Sequence, residues 1–130
     1  MVFGYATDET TQRLPLSLTL AHQLTRRQSI LRKAGTLPWL KPDAKSQLTV
    51  RYADGKPVEI TGIVLSTQHD ASIGLDQIRE AVKLHIVDPV LQDRPLATGL
   101  TIHINLAGQF ITGGPKGDTG LTGRKIIVNT

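Results

Sequence analysis

The 130 residues include no cysteine, one tryptophan, two tyrosines and two phenylalanines. Without thiols there is neither a disulfide framework nor a thiolate metal site, a usage that fits a cytoplasmic protein. Apolar runs are short, residues 126–128 being typical. They fall far below the run of about 20 that a membrane helix needs, so no membrane partner is expected. The N-terminus has no basic stretch followed by an apolar core and does not read as a secretory signal. Aromatics are too few for base stacking and the basic residues are dispersed, so the net charge of +4 gives no reason to expect a nucleic-acid partner. The four histidines, His22, His69, His85 and His103, share no metal-binding spacing and read as structural residues. Nor do the carboxylates form a pair suited to acid–base hydrolysis: Asp8 and Glu9 sit in a polar turn, and Asp76 and Glu80 lie four apart on a helix surface.

What is present is an ordinary globular composition, 39% hydrophobic and 20% charged. The length suits one domain, residues 1–130, with one modest core. Leu16, Leu20, Leu24 and Leu31 have near-helical spacing, with Pro15 suited to a first turn and Gly35 to a stop. Residues 47–52 alternate apolar and polar, and residues 58–65 resume a β-branched pattern beyond Asp54-Gly55, which predicts a hairpin. Leu75, Ile78, Val82 and Ile86 predict a second helix that Pro89 ends or bends. Residues 92–99 read as a connecting loop and residues 100–105 as a third strand, with further short strands at 110–112 and 125–128. This order predicts an α+β fold, a two-layer sandwich of a mainly antiparallel sheet with helices on one face.

Two segments carry candidate chemistry. Gly113, Gly114, Gly117, Gly120 and Gly123 are interspersed with Asp118, Arg124 and Lys125. Glycines let backbone N–H groups approach a ligand, and adjacent cations neutralise phosphate. The spacing matches neither the P-loop nor the Rossmann fingerprint, so by itself it fits a phosphate site and a plain structural loop equally well. The second segment, residues 41–46, follows Leu37-Pro38-Trp39-Leu40 and reads as a rigid loop with a buried tryptophan anchor, a platform for Lys45. By composition alone Lys45 is an ordinary solvated lysine.

These segments, together with Phe3-Gly4-Tyr5-Ala6-Thr7-Asp8-Glu9-Thr10, Gly35-Thr36-Leu37-Pro38-Trp39-Leu40 and Leu65-Ser66-Thr67-Gln68-His69, closely resemble the S-adenosylmethionine synthetase (methionine adenosyltransferase) family of bacterial type, over essentially the whole chain. The resemblance implies the family's reaction: methionine sulfur attacks the ribose C5′ of ATP, and the triphosphate leaves and is cleaved to phosphate and pyrophosphate. Such a leaving group calls for preorganised cations and metal ions.

By the resemblance, Asp43, Ala44 and Lys45 form an ATP-contacting segment, with Lys45 a catalytic cation on the triphosphate. Asp118 contacts nucleoside and methionine, and Arg124 and Lys125 are the catalytic basic pair at the phosphates. Gln109 and Phe110 stand where an ATP-contacting arginine and phenylalanine are familiar, and Asn129 stands where an aspartate is. Mg2+ and K+ are implied as cofactors, with ligands outside this chain.

The family's N-terminal histidine and magnesium-binding aspartate, its mobile loop, its GAGDQG segment and its GGGAFSxKD segment are not in these residues. The expectation is therefore one central domain of a three-domain enzyme, inactive alone and completed by a homo-oligomer or by the remaining domains. The contrasting expectation is a non-catalytic binding module that retains the fold and weak polyphosphate affinity.

Overall fold

A computed structural model describes residues 3–118. Its elements are α1 (Leu16–Lys33), β1 (Leu40–Ala53), β2 (Lys56–His69), α2 (Leu75–Val82), a π-helical turn (Lys83–Val87), α3 (Asp88–Leu91), β3 (Leu96–Ile104) and the short α4 (Pro115–Asp118).

The helix α1 begins one residue after Pro15, whose carbonyl accepts the first helical hydrogen bond from Thr19 N–H at 3.0 Å. It stops at Gly35 as its sequence demands. With Gly35 at φ 71°, its N–H reaches the Arg32 carbonyl and the Thr36 N–H reaches the Leu31 carbonyl, the paired bonds of a Schellman ending. Asp54 and Gly55 both take positive φ, 50° and 73°, which gives the hairpin turn whose twist suits two antiparallel strands.

Both hairpin strands are longer than their alternation predicts. Residues 41–46, read from sequence as a rigid loop, belong to β1, where Ala44, Lys45 and Ser46 pair with Thr67, Ser66 and Leu65. Pro42 misled that reading, but among the described residues β1 lies at the edge of the sheet, and its register shifts between Leu40 and Ala44. At such a place a missing N–H costs no ladder bond. Nor is Trp39 a fully buried anchor: Leu37 and Leu40 are buried, and Trp39 packs half-buried against them.

Pro89 neither ends nor simply bends the second helix. The Asp88 N–H bonds back to the Lys83 carbonyl, one residue further than in an α-helix, and the widened turn carries the chain on to Leu91. Proline cannot donate to the carbonyl four residues before it. That carbonyl, His85 O, instead accepts a hydrogen bond from Arg27 Nε of α1. The segment then enters β3 at Leu96, earlier than the expected connecting loop allows.

The sheet order is β1-β2-β3, with β1 antiparallel and β3 parallel to β2. The long crossover through α2 and α3 is what permits the parallel pairing. Inward-facing Leu48, Ile60, Ile63, Leu65 and Ile104 meet Leu20 and Leu24 of α1 and Ile78, Val82 and Ile86 of the second helical segment in one core. The result is the expected α+β sandwich: helices cover one face, and Lys45, Gln47 and Thr49 of β1 stay exposed on the other. Among the described residues no helix is long and apolar enough to cross a membrane.

Candidate functional site

The open face of the sheet ends in a loop, residues 106–114, that folds back across the end of β2. It begins at Asn105, which is buried and adopts φ 46°, a left-handed conformation that asparagine tolerates. Its backbone N–H closes the ladder on the Leu65 carbonyl at 3.0 Å. Its side-chain amide then does what a further strand residue would do. Oδ1 accepts from the Thr67 N–H at 2.8 Å and Nδ2 donates to the Thr67 carbonyl at 3.0 Å. The backbone is thereby released from the sheet while the edge of β2 stays satisfied.

Two residues further along β2, His69 receives the returning chain. Its N–H donates to the Phe110 carbonyl and its Nε2 accepts from the Phe110 N–H, both at 3.0 Å. Because a ring nitrogen takes the bond that would continue the ladder, residues 110–112 form no strand, contrary to their sequence-based reading. Gln68 Nε2 donates to the Ile111 carbonyl at 3.0 Å, and Asp43 Oδ2 of β1 accepts from the Gly114 N–H at 2.9 Å. Gly113 sits so tightly here that a Cβ would lie 2.8 Å from both Asp43 Oδ2 and the Phe110 ring. This close approach is what glycine supplies at that position.

The loop and the open face of the sheet enclose a cavity of about 260 Å³, lined by Lys45, Ser66, Asn105, Ala107, Gly108, Gln109 and Phe110. Lys45 stands directly across from Ser66 in the β1–β2 register. Its side chain is exposed, and no carboxylate among the described residues forms an ion pair with it. An unpaired ammonium in a concavity is suited to an anion. Larger open hollows elsewhere, such as the one of about 530 Å³ between Arg79, Lys83 and His103, collect none of the residues assigned to the ATP or methionine site.

Of the sequence-derived site residues, Lys45, Gln109 and Phe110 therefore come together at one cavity. Asp43 is brought to the same end of the molecule but spends one oxygen on the loop backbone, and Ala44 is half-buried beside it in β1. Asp118 closes α4, which the loop enters through Gly114 at φ 61°. Arg124, Lys125 and Asn129, and the expected strand at 125–128, lie outside the described residues.

The family model described as S-adenosylmethionine synthetase, central domain, matches residues 1–110. The chain belongs to the S-adenosylmethionine synthetase family. It is 50% identical to the S-adenosylmethionine synthase of Sulfurovum sp. (strain NBC37-1) over 131 residues, which covers all of this chain and 34% of that relative. The chain thus spans about a third of the length of the curated synthase it matches.

Sequence reasoning assigned no role to Gln68 or Asn105 and read His69 only as a structural residue, although Gln68 and His69 lie in a string that marks the family. A signal existed. Ile63, Leu65, Thr67 and His69 continue one inward-facing alternation, and a polar residue at such a phase must find a partner.

A second polar junction, missed in the same way, lies at the far end of the hairpin. Glu9 Oε2 accepts from the Leu16 N–H at 2.9 Å and from the Tyr52 hydroxyl at 2.7 Å. The Leu16 hydrogen bond, then that of Tyr52, holds the Glu9 carboxyl below its ordinary range. Burial, with the Glu9 bond, pushes the Tyr52 phenol up to about 12.

Proposed function

We propose that this chain supplies the central domain's share of the S-adenosylmethionine synthetase site, residues 1–130 acting as one domain that binds part of ATP and methionine. The observation that carries the reading is the convergence of Lys45 with Gln109 and Phe110, which lie more than sixty positions further along the chain, on one cavity of the open sheet face. At about 260 Å³ that cavity falls below the roughly 300–1,000 Å³ of typical small-molecule sites. A partial site, completed by other parts of the enzyme or by a second copy, fits that size.

In this reading Lys45 neutralises the polyphosphate as the bond to C5′ breaks, with Arg124 and Lys125 sharing the charge. A fixed ammonium facing the leaving group stabilises charge that develops only in the transition state. Asp43 and Ala44 line the approach to ATP, and Phe110 offers an aromatic face beside Gln109, an uncharged residue that contributes less to phosphate binding than arginine does. Asp118 takes the contact to nucleoside and methionine.

Mg2+ and K+ belong to the proposed reaction, but the described residues contain no group of three or more His, Asp or Glu that could hold a metal ion. Their ligands are assigned to the rest of the enzyme. The site of action proposed is the cytoplasm. Exposed Phe3, Tyr5 and Leu106, at 81%, 75% and 65%, are the apolar surface that other domains or a partner subunit would cover.

Calorimetric titration of the chain with ATP and with tripolyphosphate tests the reading. Binding that weakens with salt, and weakens by about tenfold or more on Lys45→Ala, is the expected outcome, since a charge-assisted hydrogen bond contributes roughly 1.5–3 kcal/mol. A null titration would favour a scaffold without ligand. Formation of S-adenosylmethionine by this chain alone would overturn the assignment of a partial site.

A further inference from the structure

The loop that brings Gln109 and Phe110 to the cavity has few apolar contacts to hold it. Phe110 is only half-buried, and Leu106, Ala107 and Gln109 are exposed. What fixes it is polar: Gln68 and Asp43 hold its far end at Ile111 and Gly114, and the stretch up to Phe110 is held by two buried side chains, His69 at 0% and Asn105 at 2% exposure. We propose that His69 and Asn105 are positioning residues: Asn105 releases the loop from the sheet edge at a fixed point, and the His69 imidazole recaptures it at Phe110. The inference rests on the proposed ligand site for its functional consequence, but the mechanical part stands on geometry alone.

The chemistry dictates the state of the ring. A backbone N–H can only donate, so Nε2, 3.0 Å from Phe110 N, must present a lone pair. The proton then resides on Nδ1, which donates to the Asp70 carbonyl at 2.8 Å. Asp70 and Phe110 are thus held by opposite edges of one neutral ring. A second tether acts in parallel, because the His69 N–H bonds to the Phe110 carbonyl. Both polar groups of the Phe110 backbone are consumed by one residue, which fixes where Phe110 joins the cavity lining. Asn105 fixes the other end of the span, and a left-handed residue with its amide bonded twice to Thr67 allows little freedom in the direction the chain departs.

Three measurements on the full 130-residue chain test this. In wild type, long-range 1H–15N spectra of His69 should show a protonated Nδ1 and an unprotonated Nε2. A proton on Nε2 would overturn the proposal without any variant being made. In His69→Phe, which keeps an aromatic ring but removes the acceptor, exchange of the Phe110 amide should accelerate by at least about tenfold, the scale of one lost hydrogen bond. The amides of Ile63 and Leu65 should keep their protection, and tripolyphosphate should bind about tenfold more weakly. His69→Gln, whose amide oxygen can accept from the Phe110 N–H, should restore both. Unchanged exchange at Phe110, or acceleration spread equally over β2, would show that His69 serves the core rather than the loop. Should His69→Phe fail to fold, Asn105→Ala carries the same comparison, with Gly108 and Phe110 expected to lose protection ahead of Leu65. If wild type binds no polyphosphate, the ligand reading fails, while the tautomer and exchange results still decide whether these residues hold the loop.

Discussion

The two ends of β2 are closed in different ways. At the hairpin end the closure is local: Asp54 and Gly55 adopt positive φ and turn the chain back onto itself, with Ala53 directly opposite Lys56. At the loop end the closure is assembled from afar. Asn105 and Phe110 arrive some forty positions later in the chain to bond Thr67 and His69, and Gly114 crosses to Asp43. The hairpin end fixes register, while the loop end fixes the walls of a cavity. A local turn is constrained by its own dihedral angles and depends little on distant partners. A side-chain clamp depends on every partner being in place, since each buried group left unpaired costs roughly 1–3 kcal/mol.

The comparison predicts that lesions separate by location. Leu65→Ala lies between the two ends and in the core shared with α1, so it should damage both together. The expected loss is about 2–5 kcal/mol of unfolding free energy in urea titration, the usual range for a buried leucine. Gly113→Ala strikes the loop end alone. Its methyl would meet the Asp43 carboxylate and the Phe110 ring at 2.8 Å, displacing the loop. A cost of about 1–3 kcal/mol is expected, with polyphosphate binding lost while the hairpin amides stay protected. Gly55→Ala strikes only the hairpin end. No atom lies within 4 Å of its added Cβ, so the cost is dihedral, about 1–2 kcal/mol, and ligand binding should survive. If Gly55→Ala weakened binding as much as Gly113→Ala, the two ends would not be independent.

The same contrast explains what could be read from the sequence. The Asp-Gly turn, the Gly35 stop and the apolar faces of both helical segments are statements about neighbouring residues, and each was legible. Strand lengths were less so: Pro42 interrupts the pattern in a way that only an edge position excuses, and edge position is a property of the sheet. The helix running through Pro89 was hidden for a similar reason, since Arg27 from a distant helix takes the carbonyl that proline leaves unpaired. Lys45, Gln109 and Phe110 were assigned through family resemblance, and their meeting at one cavity has no trace in local spacing. His69 and Asn105 left a partial trace, polar residues at buried phases, but their partners were invisible until the chain was folded.

The smallest expected effect concerns the hairpin end, where Glu9 and Tyr52 add one long-range contact to an otherwise local closure. Glu9 titrates below its ordinary value of 4.5 in the folded chain because the Leu16 N–H and the Tyr52 hydroxyl bond its charged form. A folded-state pKa depressed below the unfolded one means stabilisation that is fully present above about 4.5 and lost as the pH falls through the folded value. Tyr52 has the opposite sign. Its phenol is raised from 10.0 to about 12, so its share is present below 10 and lost as the pH rises towards 12. Together they predict a plateau in melting temperature between these limits, with a shoulder at each side. Glu9→Gln should retain acceptor geometry but lower the plateau slightly and remove the acid shoulder, and Tyr52→Phe should remove the alkaline one. Because the carboxylate faces solvent, the effect should shrink further in high salt. Wild-type and Glu9→Gln curves that run parallel from pH 7 down to pH 3 would show that this contact contributes nothing, leaving the hairpin end closed by its turn alone.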